Sequence, residues 1–225
     1  MTNVALINAT GTDRLIAAAA RVSTQGEQSL TTLHTDNDIQ GLLSYLMRNH
    51  HASPFEAGQA TFLIKAPIFV AREFQRHRTW SFNETSGRYR TLQPEFWIPE
   101  PGRNMRQEGK AGEYRFTHLD YDPRPRLQAA YDHAYQEYTH LLSEGVAREV
   151  ARAVLPLATL TTFYATANPR TIMGFLSLRT IRENAKHPSF PQREIEDVAE
   201  QIETYFAEQW PITHRLFDEH GRVAI

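Results

Sequence analysis

The sequence contains no cysteine among its 225 residues. This absence excludes disulfide bonds, thiolate metal ligands and a cysteine nucleophile. No apolar run approaches the roughly 20 residues that a membrane-spanning helix needs, and the first residues show no basic stretch followed by an apolar one. We therefore expect neither membrane insertion nor secretion, and the composition suits a cytoplasmic location.

Lysine is scarce. Only three of the 24 basic residues are lysine, and the other 21 are arginine. A GC-rich genome would explain this bias, and so would a need for planar guanidinium groups that bind phosphates and carbonyls through two hydrogen bonds. The net charge of −2 and the pI near 6.6 argue against binding to duplex nucleic acid.

The positive charge is concentrated in the middle of the chain. Residues 72–126 carry 11 basic and 8 acidic side chains, whereas residues 127–225 carry 9 and 13. We find no internal repeat, low-complexity tract or interdomain linker. We therefore predict a single domain over residues 1–225, with an irregular, Pro- and Gly-rich excursion at about 100–125.

Hydrophobic periodicity predicts a mixture of helices and strands. Strands are predicted at 4–7, 59–65 and 158–167. Residues 81–92 are predicted as a loop that passes into a strand. Helices are predicted at 13–22, 39–49, 67–77, 126–143, 146–155, 169–181 and 192–209. These elements predict an α+β fold, with a small mixed or antiparallel sheet flanked by helices.

Several helix boundaries have their own signals. Thr12, one residue of the run 36–38, and Asn168 are the predicted N-caps. Pro67 is predicted in the first turn of its helix, and Pro211 is predicted to end the last one.

Five arginines lie within residues 72–90, and three consecutive positions read Arg76-His77-Arg78. Arg72 and Arg76 share one helix face. Two guanidinium groups about 5 Å apart repel by about 3 kcal/mol at an effective dielectric constant near 20. A bound anion would relieve this repulsion, so we predict an anion-binding site here. A solvated basic face is the alternative.

The run Arg76-His77-Arg78, followed after seven residues by Ser86, is similar to the signature of the flavin-dependent thymidylate synthases. Further blocks occur in the order that this family shows, from about residue 14 to 210. They are Ala20-Arg21-Val22-Ser23, His51-Ala52-Ser53-Pro54-Phe55-Glu56, Asn83-Glu84, Gly87-Arg88-Tyr89, Ala151-Arg152 ahead of Leu155-Pro156, Asn168-Pro169-Arg170, and Leu178-Arg179.

The resemblance implies a homotetramer with FAD sites between subunits. It also implies conversion of dUMP to dTMP, with 5,10-methylenetetrahydrofolate as carbon donor and NADPH as the source of reducing equivalents. Arg179 would face the uracil and favour its ionised form, and His51 would lie near the flavin ring. The residues implied to hold the nucleotide are Gln75, Arg76, Glu84, Thr85, Ser86, Gly87, Arg88, Arg152 and Arg179. Those implied to contact the flavin are Ser53, Arg76, His77, Arg78, Glu84, Asn168 and Arg170, with Gly174 beside them.

The missing cysteine fits this chemistry, because an arginine that stabilises negative charge on uracil, together with flavin hydride chemistry, needs no protein nucleophile. Ser86 could be a nucleophile, but no His–Asp pair accompanies it in the sequence, and we favour a role in binding the nucleotide. No G-x-G-x-x-G or Walker motif is present. The flavin phosphates would therefore meet arginines, backbone amides and the start of the helix after Asn168.

The chain departs from the family pattern at three places. Ala57 stands where relatives often carry histidine. Gly174 stands where an amide side chain is usual near the flavin, and glycine inside a helix costs up to about 1 kcal/mol relative to alanine. The run 188–195 replaces a His-Ala-Gln type of lead into the last helix, where folate or nucleotide contacts occur in relatives.

Other functions stay open. A flavoprotein that oxidises NADPH, or acts on another pyrimidine nucleotide, would keep the fold and change the reaction. A non-catalytic RNA- or phosphate-binding module would use the run 76–90 and bind no chromophore. We predict no metal site, because adjacent residues such as His50 and His51 point apart at a helix end.

Overall fold

The computed structural model describes residues 2–32, 35–110 and 113–225. Its strands are β1 (Asn3–Thr10), β2 (Gln59–Pro67), β3 (Ser81–Glu84), β4 (Arg106–Glu108), β5 (Arg115–Thr117) and β6 (Leu160–Ala167). Its α-helices are α1 (Asp13–Gln25), α2 (Asp36–Arg48), α3 (Ile68–Phe74), α4 (Arg124–Ser143), α5 (Arg148–Ala151), α6 (Pro169–Arg179), α7 (Arg193–Gln209) and α8 (Pro211–Glu219). Short 3-10 turns cover Gly26–Leu30, Ser53–Glu56 and Arg152–Val154. Within the described ranges, no helix combines the length and the apolar character needed to cross a bilayer.

Four strands form one sheet in the order β1-β2-β6-β3. β1 and β2 are antiparallel, and their register pairs Asn3 with Lys65 and Thr10 with Gln59. The register shifts between Leu6 and Asn8. β4 and β5 form a separate antiparallel pair inside the predicted excursion. The predicted α+β fold, a small sheet flanked by helices, is confirmed.

The contacts of the chain divide into two compact units. The first unit contains residues 66–71 and 84–161, and the second contains residues 2–65, 72–83 and 162–225. The proposed grouping of all 225 residues into a single domain stays a prediction.

The core of the second unit is an aromatic cluster around Phe74. Its ring centroid lies 4.4 Å from that of Phe175, 5.0 Å from that of Trp80 and 5.8 Å from that of Phe163. All four side chains are buried. Burial of each ring contributes roughly 1.5–3 kcal/mol, so this cluster fixes the end of α3 against β6 and α6.

The core of the first unit forms around α4. Tyr138 is fully buried, and its hydroxyl accepts a hydrogen bond from the Leu92 N–H at 3.1 Å. The ring of Phe96 packs on Tyr131 with centroids 5.4 Å apart. The segment that follows β3 is therefore held against α4 by both backbone and side-chain contacts.

Helix boundaries follow the sequence signals in part. Asn168 caps α6 as predicted, because its Oδ1 accepts the Thr171 N–H at 2.9 Å. Thr12 occupies the N-cap position of α1, but its side chain makes no capping hydrogen bond. The cap of α2 is Thr35, which forms a reciprocal capping box with Asp38, so the predicted cap within 36–38 is wrong.

Other elements differ more from their predictions. Pro67 ends β2 instead of entering a helix, and Pro211 begins the unpredicted helix α8. A proline suits a first helical turn because its missing N–H has no acceptor there, and the prediction used Pro211 only as a stop. Residues 81–84 form β3 before the irregular segment, which reverses the predicted order. The predicted helix over 146–155 is the short α5 followed by a 3-10 turn.

Candidate active site

Arg179, the last residue of α6, is the centre of a small polar cluster in the second unit. Its Nε donates a hydrogen bond to His77 Nε2 at 3.0 Å, and its Nη1 forms an ion pair with Glu73 Oε1 at 2.7 Å. The side chain of Arg179 is 20% exposed. The guanidinium is thus held by two protein partners and stays partly accessible to a ligand.

His77 is a neutral hydrogen-bond acceptor in this cluster. Burial, and then the positive charge of Arg179, lower the pKa of His77 from 6.5 to about 4. Its ring packs edge-on against Phe175, with centroids 4.9 Å apart. Because Nε2 accepts from Arg179, the ring hydrogen belongs on Nδ1. Near pH 7, His77 therefore orients Arg179 without adding a second positive charge.

His77 also lines a cleft of about 530 Å³ in the same unit. Asn168, Arg170 and Gly174 line it as well, so four residues of the predicted flavin set meet in one place. A Cβ built on Gly174 would meet no atom within 4 Å, apart from its own helix turn. The glycine therefore leaves open space on the cleft wall, where a larger side chain was expected.

Arg170 is held at the edge of this cleft. Its Nη1 forms an ion pair with Glu56 Oε1 at 2.6 Å, and its Nε donates to the Ile225 carbonyl oxygen at 2.9 Å. Glu56 belongs to the 3-10 turn Ser53–Glu56 and lines the same cleft. The arginine is positioned from two sides, and its ion pair is open to solvent.

Some predicted residues lie outside the walls of this cleft. His51 and Ser53 are exposed, and the ring of His51 contacts Tyr45 edge-on at 5.9 Å. Gln75, Arg76 and Arg78 follow α3. Arg76 and Arg78 are exposed, and Gln75 is half-buried. The structure therefore brings the predicted flavin residues together only in part.

The first unit contains the turn that follows β3. Ser86 Oγ accepts the Arg88 N–H at 3.2 Å, and no described histidine bonds this hydroxyl. A Cβ on the buried Gly87 would lie 3.2 Å from Cδ of Arg152, so glycine permits the turn to pack against that side chain. The arrangement suits a binding turn better than a nucleophilic serine.

Two further predicted residues of this unit are held by side chains. Glu84 Oε1 accepts the hydroxyl of Thr161 at 2.7 Å. Arg88 Nε forms an exposed ion pair with Glu149 at 2.9 Å. Thr85, between Glu84 and Ser86, is half-buried. The sequence gave no signal for Thr161 or Glu149, because they lie 77 and 61 residues from their partners.

A second charged cluster in the second unit surrounds Glu203. Glu203, His214 and Asp218 have ligand atoms close enough to hold a metal ion. Arg222 already contacts both carboxylates, with its Nη1 2.6 Å from Glu203 Oε1. The positive charge that this cluster needs is therefore supplied by an arginine, and we assign the cluster to structural stability.

The family model for the thymidylate synthase complementing protein matches residues 5–212. The chain is 50% identical to a flavin-dependent thymidylate synthase from Streptomyces coelicolor, over 98% of this chain and 92% of the relative. It is 45% identical to a protein of the same name from Tropheryma whipplei, over 98% and 92%.

Solved structures are equally similar. The UMP/dUMP methylase PolB from Streptomyces cacaoi, bound with 5-Br dUMP, superimposes with a TM-score of 0.94 and 47% identity, covering 100% of this chain and 98% of that one. The same enzyme bound with 5-Br UMP gives a TM-score of 0.91 and 46% identity, covering 100% and 97%.

Proposed function

This chain belongs to the flavin-dependent thymidylate synthase family, and we propose that it catalyses the reductive methylation of dUMP to dTMP. FAD is the proposed cofactor, 5,10-methylenetetrahydrofolate the carbon donor and NADPH the reductant. One observation carries the proposal. Four residues expected at the flavin line one cleft, and one of them, His77, is hydrogen-bonded to Arg179, the residue expected at the uracil.

The cleft residues fit a flavin chemically. Arg170 supplies a cation for a phosphate, and Asn168 supplies the NH2 group of its amide, since its Oδ1 caps α6. A volume of about 530 Å³ lies within the usual range for small-molecule sites. When bound, a flavin supplies hydride transfer. His77, Asn168 and Arg170 would hold it, with Gly174 giving it room.

The role proposed for Arg179 follows from its position. Methylation at a uracil carbon is easier when negative charge can develop on the ring, and a fixed guanidinium stabilises that charge. His77 and Glu73 hold Arg179 in place before any ligand arrives, so little reorganisation is needed. No thiolate addition is required of the protein.

The turn Glu84–Arg88 and Arg152 would bind the nucleotide. Exposed Arg88 and Arg152 can meet a phosphate, with Ser86 as a hydrogen-bond donor. Gln75 and Arg76 are proposed for the same ligand, and Ser53, Arg78 and His51 for the flavin. We also propose that the chain forms a homotetramer with FAD sites between subunits. Exposed apolar side chains close to Arg152, namely Val150, Val154 and Leu157, support an interface there.

The decisive experiment measures dTMP formation under anaerobic conditions with dUMP, methylenetetrahydrofolate, NADPH and FAD, omitting one component at a time. Product that requires all four supports the proposal. NADPH oxidation in air without dTMP would favour a flavoprotein oxidase. A colourless protein that refuses FAD would favour a phosphate-binding module.

A second candidate substrate is UMP, because PolB is described as a UMP/dUMP methylase and was solved with analogues of both nucleotides. Competition between dUMP and UMP in the same assay separates the two substrates. Strong inhibition of dTMP formation by UMP, with methylated UMP as a product, would support this second activity.

A further inference from the structure

The segment between α6 and α7 is irregular in backbone but held at several points. The Ser189 hydroxyl donates to the Thr180 carbonyl at 2.6 Å. The Lys186 N–H donates to the Gly221 carbonyl at 2.9 Å, and the Asn184 side chain donates to the Asp218 carbonyl at 3.1 Å. These hydrogen bonds fix the position of the segment, and with it the position of the residue that follows Ser189.

That residue is Phe190, and 75% of it is exposed. Pro191 follows it, and the hydrogen bonds hold the segment in place, so the apolar surface of the phenylalanine stays exposed to water. The ring lines a second cleft of the same unit, about 490 Å³ in volume, together with Leu178 and Arg179. Phe190 and Arg179 therefore line one space.

The chemistry of this second cleft selects its ligand. Among its described lining residues there is no carboxylate, whereas partly exposed Arg179 and buried Arg222 both bring positive charge to it. A flat ring with electron-rich oxygens on its edge can pack on Phe190 while its edge accepts from Arg179. The residues expected at the flavin, His77, Asn168 and Arg170, line the other cleft.

We propose that Phe190 packs against the pyrimidine ring of the substrate nucleotide and contributes to its binding. The proposal rests on the proposed function, because Arg179 is the group that orients the ring. It assigns a role to the run 188–195, where the chain departs from the family pattern.

The test compares Phe190→Ala and Phe190→Tyr with the unaltered flavin-bound protein. Tyr121→Ala is the matched control, because Tyr121 is another exposed aromatic residue, 65% exposed, in the excursion. Calorimetric titration gives the Kd for dUMP, the visible absorbance gives bound flavin per chain, and a melting curve gives Tm. The kcat and KM for dUMP are measured in parallel.

Phe190→Ala is expected to raise the Kd and KM for dUMP about 10-fold or more, which is the scale of one base stacked on an aromatic ring. Flavin content and Tm are expected to stay unchanged, because the ring is exposed. Phe190→Tyr should keep the Kd within about 3-fold, since it retains a stacking face, and Tyr121→Ala should not change it.

An unchanged Kd for dUMP in Phe190→Ala would overturn the inference. Loss of flavin together with that unchanged Kd would in addition assign the ring to the cofactor. If the unaltered protein binds no dUMP, the proposed function fails together with the inference. Unaltered binding with an insensitive Phe190→Ala variant refutes the inference alone.

Discussion

Arg179 and Arg222 stand in two clusters of similar composition within the same unit. Each arginine contacts a glutamate, and each cluster contains a histidine. The side chain of Arg222 is 2% exposed and contacts Glu203, Asp218 and Thr180. That of Arg179 is 20% exposed and contacts Glu73 and His77. Burial distinguishes a structural arginine from one that is accessible to a ligand.

The two clusters also differ in how the pKa values of their residues are shifted. Burial alone would raise the pKa of Glu203, but hydrogen bonds from His214 and Arg222 and the charges of Arg222 and Arg182 lower it to about 2. In the other cluster, burial and then the charge of Arg179 lower the pKa of His77 to about 4. One cluster keeps a charge ionised in the interior, whereas the other keeps an imidazole neutral beside a cation.

The largest effect on stability is expected from Arg222→Met. It leaves the buried carboxylate of Glu203 without its closest cation, and breaking a buried pair in this way costs about 3–5 kcal/mol in unfolding free energy. Urea denaturation measures the change. Arg215→Met is the control, because Arg215 is exposed, and we expect a change within about 0.5 kcal/mol. A loss of unfolding free energy below about 1 kcal/mol in Arg222→Met would contradict the structural role that separates Arg222 from Arg179.

Arg179→Ala should act on turnover instead. Removing one positioned donor to a developing negative charge lowers kcat by about 10²–10³-fold, while flavin stays bound. Single-turnover assays and visible absorbance measure both quantities. Arg179→Lys keeps the charge but loses the fork that binds His77 and Glu73, so we expect only partial recovery. Persistent full activity in Arg179→Ala would remove the role at the uracil.

The sequence predicted those elements of the second unit that local signals define, such as α6, and it missed α8. The cap and first-turn proline of α6 are adjacent residues, Asn168 and Pro169, and the helix begins there. Some missed features depend on residues far apart in the chain, such as the partner of Arg170, which is 114 residues away. The cap of α2 is local, and the prediction missed Thr35 by one position.

The site shows the same limit. Resemblance placed His77, Asn168, Arg170 and Gly174 together, and they line one cleft. The count of arginines could not distinguish Arg179 from Arg222, since that difference is one of burial. Apart from the departure at 188–195, the sequence offered no separate prediction for Phe190. Its exposure depends on contacts from Ser189 and Lys186 to other segments, which the sequence does not show.

Acid should affect the two clusters in separate pH windows. The unfolded chain binds more protons than the folded one wherever the folded pKa is depressed, so stability falls as pH falls through that window. For His77 the window runs from 6.5 down to about 4, and for Glu203 from 4.5 down to about 2. The melting temperature is measured from pH 7 to pH 3. His77→Asn should flatten the upper part of the curve, and Glu203→Gln only the lower part. Identical curves for both variants would contradict the separation of the clusters.

The smallest effect tests whether the space beside Gly174 is open. Gly174→Ala should raise the unfolding free energy by about 0.5–1 kcal/mol, because alanine reduces the freedom of the unfolded chain and its methyl group meets no atom within 4 Å. Gly145→Ala is the matched control. Its Cβ also meets nothing, but its φ of +86° strains any L-residue, so we expect a loss of about 1–2 kcal/mol. Urea denaturation measures both. Destabilisation by Gly174→Ala would mean that the wall of the cleft is as closely packed as the surroundings of Arg222.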